Sequence, residues 1–170
     1  SVIRRHSRGQ GGSLRDVDLN PEGTLAVTVG FDGFIRVWDL ESGEVQILDA
    51  QDGLGIEDLQ FLPDLRLLSS GDGGLRLWDL ETETYESIRA DGVGDIEVSW
   101  DGLSLAMIVE GGEVRIHDFE TGVSRSLDTG ESEVGSIAFD PTGMILVAGH
   151  EDGTVSVGPV AGGDRHQLLG

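Results

Sequence analysis

The chain has 170 residues, 38% of them hydrophobic and 5% aromatic, enough for a sizeable core, yet no apolar run approaches the roughly 20 residues of a membrane-spanning helix. Its 32 acidic residues against 11 basic ones give a formal charge of −21, which repels phosphate backbones and excludes nucleic acid and membrane as expected partners. Without cysteine it can form neither a disulfide framework nor a thiolate zinc site.

The first residues, SVIRRHSRGQGG, lack the apolar stretch of a secretory signal, so a cytoplasmic location is expected, and the missing initiator Met points to a processed or excised chain. Every basic residue is Arg, and Arg4, Arg5, Arg8 and Arg15 all precede the first acidic residue, Asp16. Residues 1–12 read as a basic arm on an acidic body, either a solvated strand and loop or a docking element for an acidic surface.

Beyond the arm the sequence repeats with a period of about 40 residues. The segment GFDGFIRVWDLESGEVQIL from Gly30 returns as SGDGGLRLWDLETETYESI from Ser70, as EGGEVRIHDFETGVSRSL from Glu110 and as HEDGTVSVGPVAGGDRHQLL from His150. Upstream of each lies a matching element, at Leu14, Ile56, Ile96 and Val134. Within a copy the apolar residues alternate (Ile35 and Val37, Leu75 and Leu77, Val114 and Ile116, Val155 and Val157), the period of half-buried strands. Tight turns such as Asn20-Pro21-Glu22-Gly23 and Asp32-Gly33 separate the runs. In the first copy the predicted strands are a, Leu14–Leu19; b, Leu25–Val29; c, Phe34–Trp38; and d, Glu44–Leu48. The copies divide the chain at 13–48, 49–88, 89–127 and 128–170. Val2–His6 stands eight residues before strand a, the offset of Leu48 from Ile56, and so reads as a lone d-type strand; Arg165–Leu169 is the d strand of the last copy.

An Asp-Gly turn between strands b and c, with a Trp-Asp pair ending strand c, resembles the WD-repeat family over almost the whole length. The pair is intact as Trp38-Asp39 and Trp78-Asp79, half kept as His117-Asp118, and lost at Gly158-Pro159. The turn survives at Asp32, Asp72 and Asp152 and becomes Gly111-Gly112 in the third copy. The resemblance implies an all-β propeller of four-stranded antiparallel blades, four of them in this chain. It also implies a hydrogen-bonded tetrad of Trp, Asp, Ser or Thr, and His; the His expected before strand a is missing here, so these tetrads are incomplete.

Nothing in the pattern builds an enzyme. His6, His117, His150 and His166 fall at unrelated points of the repeat and lack metal-ligand spacing. The carboxylate pairs Asp16 with Asp18 and Glu57 with Asp58 read as solvated strand and turn positions, and the GDGG at Gly71 as a hairpin turn, since no helix follows to cradle a phosphate. Arg36, Arg76 and Arg115 recur at one repeat position and read as structural ion pairs in preference to an anion-binding ring. No cofactor or metal is expected.

The resemblance implies that the d-to-a and b-to-c loops form the recognition surface. The partner-binding residues expected there are Phe31, Ser70, Glu110, His150 and Glu151, with Arg15 and Glu57 at the starts of strand a. Four blades of this type span about half of a ring of roughly seven or eight, leaving two apolar faces to be covered. The expected function is therefore a non-catalytic protein-protein interaction scaffold whose ring is completed by another chain. That chain is a second copy, giving an eight-bladed homodimer, or the rest of a longer propeller. Alternative readings are an excised or designed repeat fragment whose property is self-assembly, and the sensor part of a larger signalling protein with a linked enzyme.

Overall fold

A computed structural model describes residues 14–30, 32–50, 55–89 and 91–168. Every regular element among them is a strand, and no helix is long and apolar enough to cross a membrane. The chain divides into two compact units, Ser1–Gly92 and Val93–Gly170.

The first unit holds two antiparallel meanders. One runs β1 (Leu14–Leu19), β2 (Leu25–Gly30), β3 (Phe34–Asp39), β4 (Val45–Asp49). The other runs β5 (Ile56–Phe61), β6 (Leu67–Gly71), β7 (Leu75–Asp79), β8 (Thr84–Arg89). In the second unit the same plan gives β9 (Val93–Val98), β10 (Ser104–Val109), β11 (Glu113–Asp118) and β12 (Val123–Leu127). It is repeated in β13 (Val134–Phe139), β14 (Ile145–His150), β15 (Val155–Pro159) and β16 (His166–Leu168). Each of the four meanders has the four-stranded antiparallel plan of a propeller blade. The strands of the first copy match their predicted spans to within a residue, and the last d strand is the shorter His166–Leu168. The lone strand expected at Val2–His6 lies outside the described residues.

Burial follows from alternation. Val27, Val29, Ile35, Val37 and Leu48 fill one face of the first sheet and form a single apolar cluster with Ile56, Leu59 and Phe61 of β5. Ile56 and Leu59 are three residues apart yet share a face because the register slips between Ile56 and Asp58. The same slip occurs at Leu14/Asp16 and Val134/Ser136, so a bulge at the start of the innermost strand is part of the repeat. In the second unit Ala106, Ile108, Val114, Ile116 and Leu127 cluster in the same way with Val134, Ile137, Leu146 and Ala148.

The a-to-b turns show how side chains fix the hairpins. Asn20 Oδ1 accepts from Thr24 N and Leu25 N, and Asp140 Oδ1 accepts from Met144 N and Ile145 N. The closing residue of each turn is left-handed: Gly23 at φ 68°, Gly102 at 72°, Gly143 at 70° and, in the second blade, Leu65 at 69°. A side chain in that region costs about 1–2 kcal/mol, whereas glycine loses about 0.5–1 kcal/mol in chain entropy. Leu65→Gly is therefore expected to stabilise the protein by up to about 1 kcal/mol, seen as a higher urea midpoint with an unchanged slope.

Candidate functional site

The residues that mark the repeat hold the blades together internally. Trp38 Nε1 donates to Thr28 Oγ1 at 2.9 Å, and Trp78 Nε1 donates to Ser69 Oγ at 2.9 Å. Each indole is thus tied from strand c to strand b of its own sheet. In the third blade His117 replaces Trp, is buried, and bonds through Nδ1 to Ser124 Oγ at 2.9 Å while meeting Phe119 edge-on. Asp39, Asp79 and Asp118 close the c-to-d hairpins. Asp39 Oδ1 accepts from Glu41 N and Ser42 N, Asp79 Oδ1 from Glu81 N and Thr82 N, and Asp118 Oδ1 from the amide and hydroxyl of Thr121. The amide N–H groups of Ser42, Thr82 and Thr121 hold the three carboxyls below the usual aspartate range.

The b-to-c turn aspartates share a repeat position but not a role. Asp32 grips Arg36 through both carboxylate oxygens, at 3.2 and 2.8 Å, in a largely buried pair. Asp72 stands in an exposed turn whose amide donates to Gly55 O. Asp152 accepts from the hydroxyl and the amide of Thr154, which lower its pKa in that order. The recurring arginines diverge too: Arg76 donates to Ala50 O beneath the Tyr85 ring, and Arg115 pairs with Glu113.

Between consecutive blades of a unit, the innermost strands are tied by side chains. Asp16 Oδ2 accepts from Leu59 N and Asp18 Oδ2 from Phe61 N, both at 2.8 Å, and Asp95 Oδ2 accepts from Ile137 N at 3.4 Å. Arg15 adds an ion pair to Glu57 at 2.9 Å. The solvated reading of Asp16 and Asp18 is corrected on this point: an edge strand turns alternate N–H groups away from its own sheet, and a carboxylate of the preceding blade meets them.

Of the expected partner-binding residues, Phe31 lies outside the described residues. Arg15 and Glu57 engage each other, and Glu110 and Glu151 stand exposed in turns. Ser70 belongs to β6 and is buried, so it offers a partner no surface. His150 ends β14, buried between Ser132 O at 3.0 Å and Ser156 Oγ at 2.9 Å. An open cleft of about 560 Å³ beside it is lined by Asp128, Thr129, Ser132, Asp152, Arg165 and His166. Among the described residues no group of His, Asp and Glu is arranged to hold a metal. Exposed apolar residues lie elsewhere, among them Leu14, Val17 and Leu19 of β1 and Trp100, Leu103 and Met144 in the second unit. Trp100 could have been found in the sequence, since it stands where Pro21, Pro63 and Pro141 occupy the other a-to-b turns.

Two outcomes follow from this bonding. Ser69→Ala strips the buried Trp78 indole of its acceptor and is expected to cost about 1–3 kcal/mol in a urea melt. The depressed carboxyls of Asp39, Asp79 and Asp118 bind protons more readily unfolded than folded. Their contribution is therefore present above the ordinary value of 3.8 and is lost as the pH falls through the lower folded values. The melting temperature is expected to drop below about pH 4, and the D39N/D79N/D118N variant is expected to show a flatter acid limb by calorimetry.

The family model described as "WD domain, G-beta repeat" matches residues 2–39, 43–79 and 123–157, well over half of the chain. The unmatched stretch includes the third blade's Gly111-Gly112 and His117-Asp118, where the repeat signature is weakest. A WD repeat-containing protein of Schistosoma mansoni, SL1-17, is 34% identical over 152 residues, which are 86% of this chain and 50% of that protein. The chain thus spans about half the length of this curated relative. With four-stranded blades, Trp-Asp hairpins and matching repeats in register, the chain belongs to the WD-repeat family.

Proposed function

We propose that this chain is a non-catalytic protein-interaction scaffold, a run of WD blades whose two terminal faces are covered by further blades. WD repeats generally mediate protein-protein interaction, and the loops and turns here project polar and acidic side chains from a rigid strand framework.

The observation that carries the reading is a difference between equivalent positions. On β5, Leu59 is 3% and Phe61 6% exposed, covered by the preceding blade; their counterparts on β1, Val17 and Leu19, are 60% and 54% exposed. The last blade shows the converse. Leu48 on β4 is 2% exposed beneath the blade that follows, while its counterpart Leu168 on β16 is 55% exposed. Both faces have the apolar composition of a blade interface, and water is a poor partner for either.

A second copy placed by a two-fold axis would supply four more blades and complete a ring of eight. A relative of twice the aligned length supports the other source, further blades of a longer protein. Sedimentation of the purified chain separates them: a species of twice 18.1 kDa supports pairing, and a monomer that binds an exposed-surface dye supports a longer propeller. A monomer with a cooperative melt and no dye binding overturns the reading.

The same contrast is testable by substitution. Leu59→Ala is expected to destabilise the isolated chain by about 2–5 kcal/mol. Val17→Ala is expected to change monomer stability by no more than about 0.5 kcal/mol, while lowering the mass of any assembled species at a given concentration.

A further inference from the structure

Proteins of this architecture offer two ends of each sheet, and the two most exposed apolar side chains of the second unit, with a third beside them, lie at the end opposite the b-to-c loops. Trp100 is 85% exposed and Met144 71%, with Leu103 half in solvent. They sit in the a-to-b turns of consecutive blades, Ser99–Leu103 and Asp140–Met144, and these turns abut: a Cβ on Gly143 would lie 3.2 Å from that of Ser99. The patch depends on no blade beyond this unit and so stands apart from the ring completion proposed above.

The turn that carries Trp100 is pinned on both sides of it. Ser99 Oγ donates to Asp101 Oδ1 at 2.6 Å, Leu103 N donates to the same oxygen, Ser104 N donates to Ser99 Oγ, and Gly102 N closes the turn onto Ser99 O. The turn is thereby fixed with the indole outward. Nor does the fold require an aromatic there, since the other three a-to-b turns place Pro21, Pro63 and Pro141 at that position, all exposed. A fixed, solvated Trp beside Met and Leu has the composition of an interface anchor.

The charge around it selects the partner. The a-to-b and c-to-d turns of this unit carry Asp101, Glu120, Asp140 and Asp164, with Asp118 at the end of β11; the basic residue among them, Arg165, is half-buried and donates inward to Leu146 O. Hydrogen bonds from their own turns hold the carboxyls of Asp101, Asp118 and Asp140 below the usual aspartate range. A cation is favoured both by this field and by the face of the indole.

We infer that the turn surface carrying Trp100, Leu103 and Met144, framed by Asp101, Glu120 and Asp140, docks a basic segment of another protein whose bulky apolar side chains alternate with Arg or Lys. The test uses the whole chain and two synthetic amphipathic peptides, one of Leu and Lys and one of Leu and Glu. Trp78 is buried and Trp38 half-buried, so red-edge emission open to acrylamide reports on Trp100. The Leu-Lys peptide is expected to blue-shift that emission and protect it from the quencher, the Leu-Glu peptide to do neither. Trp100→Pro, with the residue the other turns carry, is expected to keep the melting temperature and to weaken binding of a fluorescein-labelled Leu-Lys peptide at least tenfold by anisotropy. Trp100→Ser serves if the Pro variant melts early. Equal affinity for the variant shows diffuse attraction to an acidic protein and overturns the proposal, as does an absence of binding. Protection that grows with protein concentration alone assigns the patch to a second copy and overturns it as well.

Discussion

The structure depends on covering one apolar sheet face with the innermost strand of the next sheet. Val27, Val29, Ile35, Val37 and Leu48 cannot be hidden within a single twisted meander, and they are removed from water only when Ile56, Leu59 and Phe61 close over them. The second unit solves the same problem with Val134 and Ile137 against Ala106, Ile108, Val114 and Ile116. The bulge at the start of each innermost strand serves this contact, since it lets residues three apart present to one face. Within each unit the covering is done by the neighbouring blade, so a blade's apolar face is hidden only where a neighbour packs on it.

Polar groups give direction to what is otherwise a greasy and unspecific stack. The Asp16 and Asp18 carboxylates fix the register of β5 by accepting from alternate amides, and Arg15 repeats the link at the strand's start. Within a blade the Trp indoles tie strand c to strand b, and the following Asp shapes the hairpin into strand d. The Trp-Asp pair thus does two separate jobs, one inside the sheet and one at its rim, which accounts for their separate loss: His117 changes the first while Asp118 keeps the second.

Periodicity made the architecture legible. Alternating Ile35 and Val37 with an Asp-Gly turn before them and a Trp-Asp pair after them leave little freedom in where strands begin, and the observed spans differ by a residue at most in the first blade. What the sequence withheld concerns orientation. Nothing local distinguishes a solvated aspartate from Asp16, whose acceptor role exists only once β5 lies alongside. Ser70 and His150 sit next to loops in sequence but turn inward, because a strand's last residues alternate faces like any others. Trp100 was readable and hidden by its commonness of context: only by aligning four turns does an aromatic in a proline's place stand out.

The carboxylates of the innermost strands have a consequence for the protein in concentrated solution. An unpaired strand edge is a template on which another chain can add, the first step toward fibrils. Asp18 occupies its neighbour's outward-facing amide at Phe61, and its negative charge sits on the edge of β1 itself, where a foreign strand would have to approach. The groups that set blade register thus also discourage indiscriminate β-pairing.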